Sequence, residues 1–184
     1  MQMFFDFTQD ARRSSIAAQL RAKLGESGWA GVTREAMGAR VPKKHHHGIL
    51  EVRETIAGLA VSGTVRESMG AIYEILARAE AQAHGCAVDD THFHEVGEGE
   101  SLLNTLLICS AFAALHPDFT VATPVQTGSG TVQCAHGLME IPTPATAAIL
   151  ATGIPTCPDR LEGELCTPTS AAIIKHFVDE FQEF

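Results

Sequence analysis

Apolar residues recur along most of this chain at helical spacing and in a few places alternate as in a strand. Ile16, Ala17, Leu20 and Leu24 share one helical face, which predicts an amphipathic helix over about residues 10–24. Residues 25–44 carry four glycines and one proline and read as a loop with a short strand near residues 39–41. A short helix is expected within residues 45–60, preceded by a run of histidines. Met69, Ile72, Leu76, Ala79 and Ala83 step by three and four, predicting a helix that Gly85 closes. Residues 100–115 are apolar almost all round, the pattern of a helix at the centre of a core, and His116-Pro117 ends it. Residues 119–124 read as a strand, and residues 131–134 with 138–141 as a hairpin turning at Ala135-His136-Gly137. The pattern predicts an α/β fold with helices packed around a small mixed sheet. It forms a single domain in which a front segment, residues 1–44, is continuous with a core, residues 45–184.

The chain closes on an internal echo. Thr143-Pro144-Ala145-Thr146-Ala147-Ala148-Ile149-Leu150 parallels Thr167-Pro168-Thr169-Ser170-Ala171-Ala172-Ile173-Ile174. In each, threonine can cap a helix while proline takes the first helical position, where a missing N–H costs nothing. The second helix is expected to bury Ile174, Phe177, Val178 and Phe181 along one stripe. Both starts gather hydroxyls where free N–H groups and the helix dipole favour an anion, although capping alone accounts for either motif.

The segment His92-Phe93-His94-Glu95-Val96-Gly97 is the richest in chemistry. As a strand it would put His92 and His94 on one face and Phe93 on the other, toward the core. Two neutral imidazoles so placed suit nickel, copper or zinc, while a surface strand with solvated histidines has the same spacing. His45, His46 and His47 form a second imidazole source, of which at most two can face one metal; a solvated patch fits equally well. Cys134 and His136 sit at the predicted hairpin turn, where thiolate and imidazole can meet one centre. The plainer alternative is a loop histidine beside a buried cysteine. His84, His116 and His176 match no motif and read as helix-end or surface residues.

Composition narrows the function classes. The chain has 184 residues, of which 45% are hydrophobic and 19% charged, enough for one domain with a real core. A formal charge of −9 argues against nucleic acid gripped through its phosphates. The five cysteines are odd in number and show no close pairs, so neither a disulfide framework nor a cysteine zinc knuckle is expected, and a reducing cytoplasm is. Asp6 and Asp10 interrupt the apolar N-terminus, which lacks a cleavable signal pattern. The most apolar run, residues 102–115, falls short of the roughly 20 residues that span a bilayer, so a soluble chain without a membrane partner is expected.

Three further runs complete a series. Gly128-Ser129-Gly130-Thr131-Val132-Gln133-Cys134-Ala135-His136-Gly137 is followed by Ile141-Pro142-Thr143-Pro144-Ala145-Thr146 and by Glu164-Leu165-Cys166-Thr167-Pro168-Thr169-Ser170-Ala171-Ala172. With His45-His46-His47 and the segment at residues 92–97, they resemble the N-terminal half of the LarC-type nickel-insertion protein family, strongly over about residues 45–172. The resemblance implies a nickel-binding protein that loads nickel into a pyridinium-bisthiocarboxylate mononucleotide cofactor, a nickel chelatase of the lyase class where active. It implies His45, His46, His47, His92, His94, Cys134 and His136 as metal ligands and Glu95 and Glu100 as catalytic residues. It further implies Thr143, Thr146, Thr167, Thr169 and Ser170 as contacts to the mononucleotide.

The departures bear on activity. Glu100 and Asn104 stand where the family has two aspartates, so an acid–base group or ligand at position 104 is lost. Glu140 replaces a proline and Ser170 a glycine. Phe4-Phe5-Asp6 matches the family's first strand and aspartate, but residues 8–15 contain no glycine where a glycine-rich turn is usual. The C-terminal half associated with cytidine-nucleotide use is absent from a sequence ending at Phe184, so a protein partner supplying it is expected, and homo-oligomer formation is left open. The alternative is a diverged, non-catalytic metal- or ligand-binding accessory module of the same fold. An independent metal hydrolase fits less well, since no nucleophile–base pair can be read.

Overall fold

Met3 and Phe5 are buried while Gln2 and Phe4 face outward, the alternation of a strand covered on one side. The computed structural model describes residues 1–44, 48–93, 99–134 and 137–182. In chain order the elements begin with β1 (Gln2–Phe5), α1 (Arg13–Gly38), α2 (Ile49–Gly58), α3 (Gly63–His84), α4 (Gly99–Leu115) and β2 (Phe119–Ala122). They continue with β3 (Gly128–Ser129), β4 (Thr131–Cys134), β5 (Gly137–Glu140), α5 (Pro144–Leu150), β6 (Gly163–Glu164), α6 (Pro168–Phe177) and β7 (Glu180–Phe181). β2 lies between β1 and β7, parallel to both, with Phe4 opposite Val121 and Val121 opposite Glu180. β3–β6 and β4–β5 are separate antiparallel pairs. The α/β arrangement of helices around small sheets is as the pattern predicts, although the parallel and antiparallel pairings fall in separate sheets rather than in one mixed sheet.

The core is built on α3 and α4. Met69, Ile72, Tyr73 and Leu76 of α3 meet Leu102, Leu106 and Phe112 of α4, all buried, and Ile16 and Leu20 of α1 close the cluster. Burying each such side chain contributes roughly 1.5–3 kcal/mol relative to leaving it exposed. Phe112 joins the layers: its ring stacks on Phe177 of α6 at 3.8 Å between centroids and on Phe5 of β1 at 5.6 Å. Ser62 caps α3 by accepting from the Val65 N–H, and Gly85 ends it with a left-handed φ of 66°. No helix among the described residues is long and apolar enough to cross a membrane.

Two expectations are overturned. Residues 25–38 are not a loop, and no strand forms at residues 39–41. Gly25 breaks α1 with φ 68° and ψ 171°, and the helix then resumes to Gly38. Gly28 and Gly31 each weaken a helix by about 1 kcal/mol, but Val32 and Ala36 are buried and Trp29 packs against the core, and that burial wins. The second correction concerns the last helix. α6 stops at Phe177, and Phe181 belongs to β7 rather than to a helical stripe. Asp179 draws the chain into the sheet, its N–H donating to the Thr120 carbonyl at 2.9 Å and its carboxylate accepting from the Thr120 N–H at 2.7 Å.

Candidate functional site

Both Thr-Pro motifs form the expected helix starts. Thr167 caps α6 through a reciprocal box: its hydroxyl accepts from the Ser170 N–H at 3.3 Å, and its own N–H donates to the Ser170 hydroxyl at 2.8 Å. Thr143 precedes α5 without a side-chain cap, and its hydroxyl instead lies 3.1 Å from that of Thr146. Thr146 and Ser170 are fully buried behind these starts. The first-turn N–H groups of Ala145 and Thr169 make no hydrogen bond to the described protein.

The two starts line one cavity of about 220 Å³. Thr143, Pro144 and Ala145 come from α5, and Thr167, Pro168 and Thr169 from α6. The hairpin β4–β5 contributes Val132, Gln133, Cys134 and Met139; β6 contributes Glu164; the end of α3 contributes Glu80, Ala83 and His84. Arg13, the first residue of α1, and Ser101, in the first turn of α4, complete the wall. The Arg13 guanidinium donates to the Ser101 hydroxyl at 2.8 Å. Its neighbour Arg12 is engaged elsewhere, forked onto Asp10, whose carboxyl that hydrogen bond holds below its usual range. Glu80 lies 3.5 Å from His84 Nε2.

The expected site residues fall into three groups. Cys134, Thr143, Thr167 and Thr169 line the cavity, with Thr146 and Ser170 packed behind them. Glu100 is exposed in the first turn of α4, next to Ser101, and His92 is exposed outside the cavity. His45, His46, His47, His94, Glu95 and His136 lie outside the described residues. Phe93 is buried as alternation predicts and packs edge-on to Tyr73, while His92 forms a single antiparallel bridge to Gly48. Among the described residues no three His, Cys, Asp or Glu side chains gather to hold a metal.

Sequence reasoning missed Arg13, Ser101, Glu80 and Glu164. A signal for Arg13 was available: two arginines open α1 with no acidic residue in its first turn, where the helix dipole disfavours cations. Cations placed against the dipole need another partner.

All five cysteines are free thiols, as expected. Burial pushes the Cys166 thiol up to about 12 and raises Cys109 further, whereas Cys86 is exposed. Brief alkylation of the folded chain with iodoacetamide, mapped by mass spectrometry, should therefore label Cys86 first. Cys109 and Cys166 should react slower by at least about two orders of magnitude. Early labelling of Cys166 would show that the floor beneath the α6 start is open.

Comparison with known proteins brings in further findings. The profile of a family described as "Nickel insertion protein" matches residues 5–184. The chain is 36% identical over 136 residues to the pyridinium-3,5-bisthiocarboxylic acid mononucleotide nickel insertion protein of Geobacillus kaustophilus, covering 74% of this chain and 33% of that protein. It is 42% identical over 135 residues to a putative nickel insertion protein of Roseiflexus castenholzii, covering 72% and 34%. A Staphylococcus saprophyticus protein with the same name as the first is 39% identical over 131 residues, covering 71% and 33%. The chain thus spans about a third of the length of the curated relatives it matches. No solved structure matches it.

Proposed function

The chain belongs to the nickel insertion protein family, and from that premise we propose that its cavity holds a pyridinium mononucleotide while its histidine segments supply nickel. The observation that carries this reading is that both Thr-Pro helix starts and Cys134 share one cavity wall. A mononucleotide offers a phosphate at one end and a cationic ring at the other. The Thr169 N–H and hydroxyl suit the phosphate, and the Glu80 and Glu164 carboxylates suit the ring's positive charge. Cys134 adds a soft donor to the same wall, fitting a borderline metal bound near sulfur.

Nickel is cargo on this reading, and His45, His46, His47, His92, His94, Cys134 and His136 are its proposed ligands. Two backbone approaches support their convergence. Gly48, which follows the histidine run in sequence, pairs with His92. At the other end of the same two segments, Gly99 lies so close to Pro42 that a Cβ there would collide with the Pro42 carbonyl oxygen. Calorimetric nickel titration of the wild type against His94→Ala and His136→Ala tests this half of the reading. Each variant should bind at least about tenfold more weakly, the loss of one good ligand. Unchanged affinity in both would make these histidines structural.

The loading step is proposed to draw on sequence that the relatives carry beyond the matched third, present in continuation or on a partner chain. Glu95 and Glu100 are the proposed acid–base groups. Asn104, one turn after Glu100, offers an amide rather than a carboxylate and favours a second reading, a binding module without turnover. Both readings expect residues 1–184 alone to bind nickel without hydrolysing a cytidine nucleotide; hydrolysis by this polypeptide would contradict both.

A further inference from the structure

The geometry points to Arg13 as the residue that makes the cavity select a phosphomonoester, with Ser101 as the brace that aims its guanidinium. This inference rests on the reading of the cavity as a mononucleotide site and adds the source of its charge selectivity. Arg13 lines the cavity and has no carboxylate within ion-pair distance among the described residues, although Glu80 and Glu164 share the wall. One of its five N–H donors is spent on the Ser101 hydroxyl at 2.8 Å; among the described residues the others meet no acceptor, which leaves a planar fork for two phosphate oxygens.

The brace is itself held from behind. Ser101 is buried at the start of α4, and its carbonyl accepts from the Thr105 hydroxyl at 2.9 Å. The Tyr73 hydroxyl, fully buried, lies against the Ser101 and Thr105 hydroxyls, and the Tyr73 ring is packed by Phe93 at 6.1 Å between centroids. A second tie fixes the backbone: the Ala11 N–H donates to the Leu165 carbonyl at 2.9 Å, joining the approach to α1 to the short connection between β6 and Thr167. This tie holds the chain just before Arg13 against the segment just before the α6 start. In an acidic chain with 13 basic residues, and with Glu80 and Glu164 elsewhere in the wall, a cation so supported gives its own end of the cavity an anion preference that hydroxyls alone would not.

The test titrates the full chain by calorimetry with nicotinic acid mononucleotide, with nicotinic acid riboside, which lacks the phosphate, and with adenosine monophosphate. Arg13→Gln should weaken the mononucleotide by about 30-fold and the riboside by less than about twofold, the loss expected for a charge-assisted contact confined to phosphate. Arg13→Lys should fall between, since it keeps the charge and loses the fork. Ser101→Ala should weaken the mononucleotide several-fold, and Ser101→Thr should restore it, a rescue that a merely structural role would not give. Unfolding temperatures of the variants confirm that they are folded. Mononucleotide binding indifferent to Arg13, or equal losses for mononucleotide and riboside, would overturn the assignment while leaving the mononucleotide reading intact. Arg13-dependent binding of adenosine monophosphate without the pyridinium ligand would uphold the assignment and overturn that reading. Binding of none of the three would overturn both.

Discussion

Gly128→Ala is expected to lower stability by about 3 kcal/mol, roughly 1–2 from forcing an L side chain to positive φ and the remainder from overpacking. Gly128 has φ +82°, and a Cβ there would collide with the Gly163 carbonyl oxygen and approach Gly163 C at 2.9 Å and Leu165 N at 3.0 Å. These are backbone atoms of the paired strand, so no flexible side chain can give way. The damage would reach the cavity, because the partner segment carries Glu164 in its wall and leads into Thr167. For a domain of this size the unfolding temperature should drop by about 6–12 °C. Gly130→Ala is the control: its φ is +94°, but nothing lies within 4 Å of the added carbon, so only the conformational cost of about 1–2 kcal/mol applies. Equal losses in the two variants would mean that the close approach at Gly128 contributes nothing.

Phe112→Ala should have the larger effect, about 3–5 kcal/mol, a large share of the roughly 5–15 kcal/mol that holds a typical domain together. The ring is buried between Phe5 and Phe177, so its removal leaves a hole where β1, α4 and α6 meet. None of these elements can collapse into the hole without disturbing the other two. Denaturant unfolding monitored by circular dichroism would measure the loss. Phe119→Ala, on a side chain 39% exposed, should change stability by no more than about 0.5 kcal/mol. A Phe112→Ala cost below about 1 kcal/mol would show that the three layers are not joined through this ring.

Much of this architecture is legible in the residues because it is local. The stepping of Met69, Ile72 and Leu76, the all-apolar run of α4 and the Thr-Pro starts each name their element without reference to the rest of the chain. The second half of α1 is hidden because its glycines argue against a helix, and only burial of Val32 and Ala36 against distant residues overrules them. β7 is hidden because two residues carry no periodicity, and its partners Val121 and Ala122 lie far back along the chain, as does Thr120, which is 59 positions from Asp179. The site divides in the same way. The repeat of Thr143-Pro144 and Thr167-Pro168 suggests two similar helix starts, and in the structure they line one cavity. That Arg13, Ser101 and Glu80 join them is decided by how α1, α3 and α4 pack, which no short motif records.

Where a pyridinium mononucleotide binds is measured directly by a crystal structure of the full chain with nicotinic acid mononucleotide at saturating concentration. The phosphate should lie against Arg13 and Thr169, with the ring in the same cavity beside Cys134. Ligand seated instead in the groove lined by Gly153, Lys175 and Phe181, or no ligand density between the two Thr-Pro helix starts, would contradict the account.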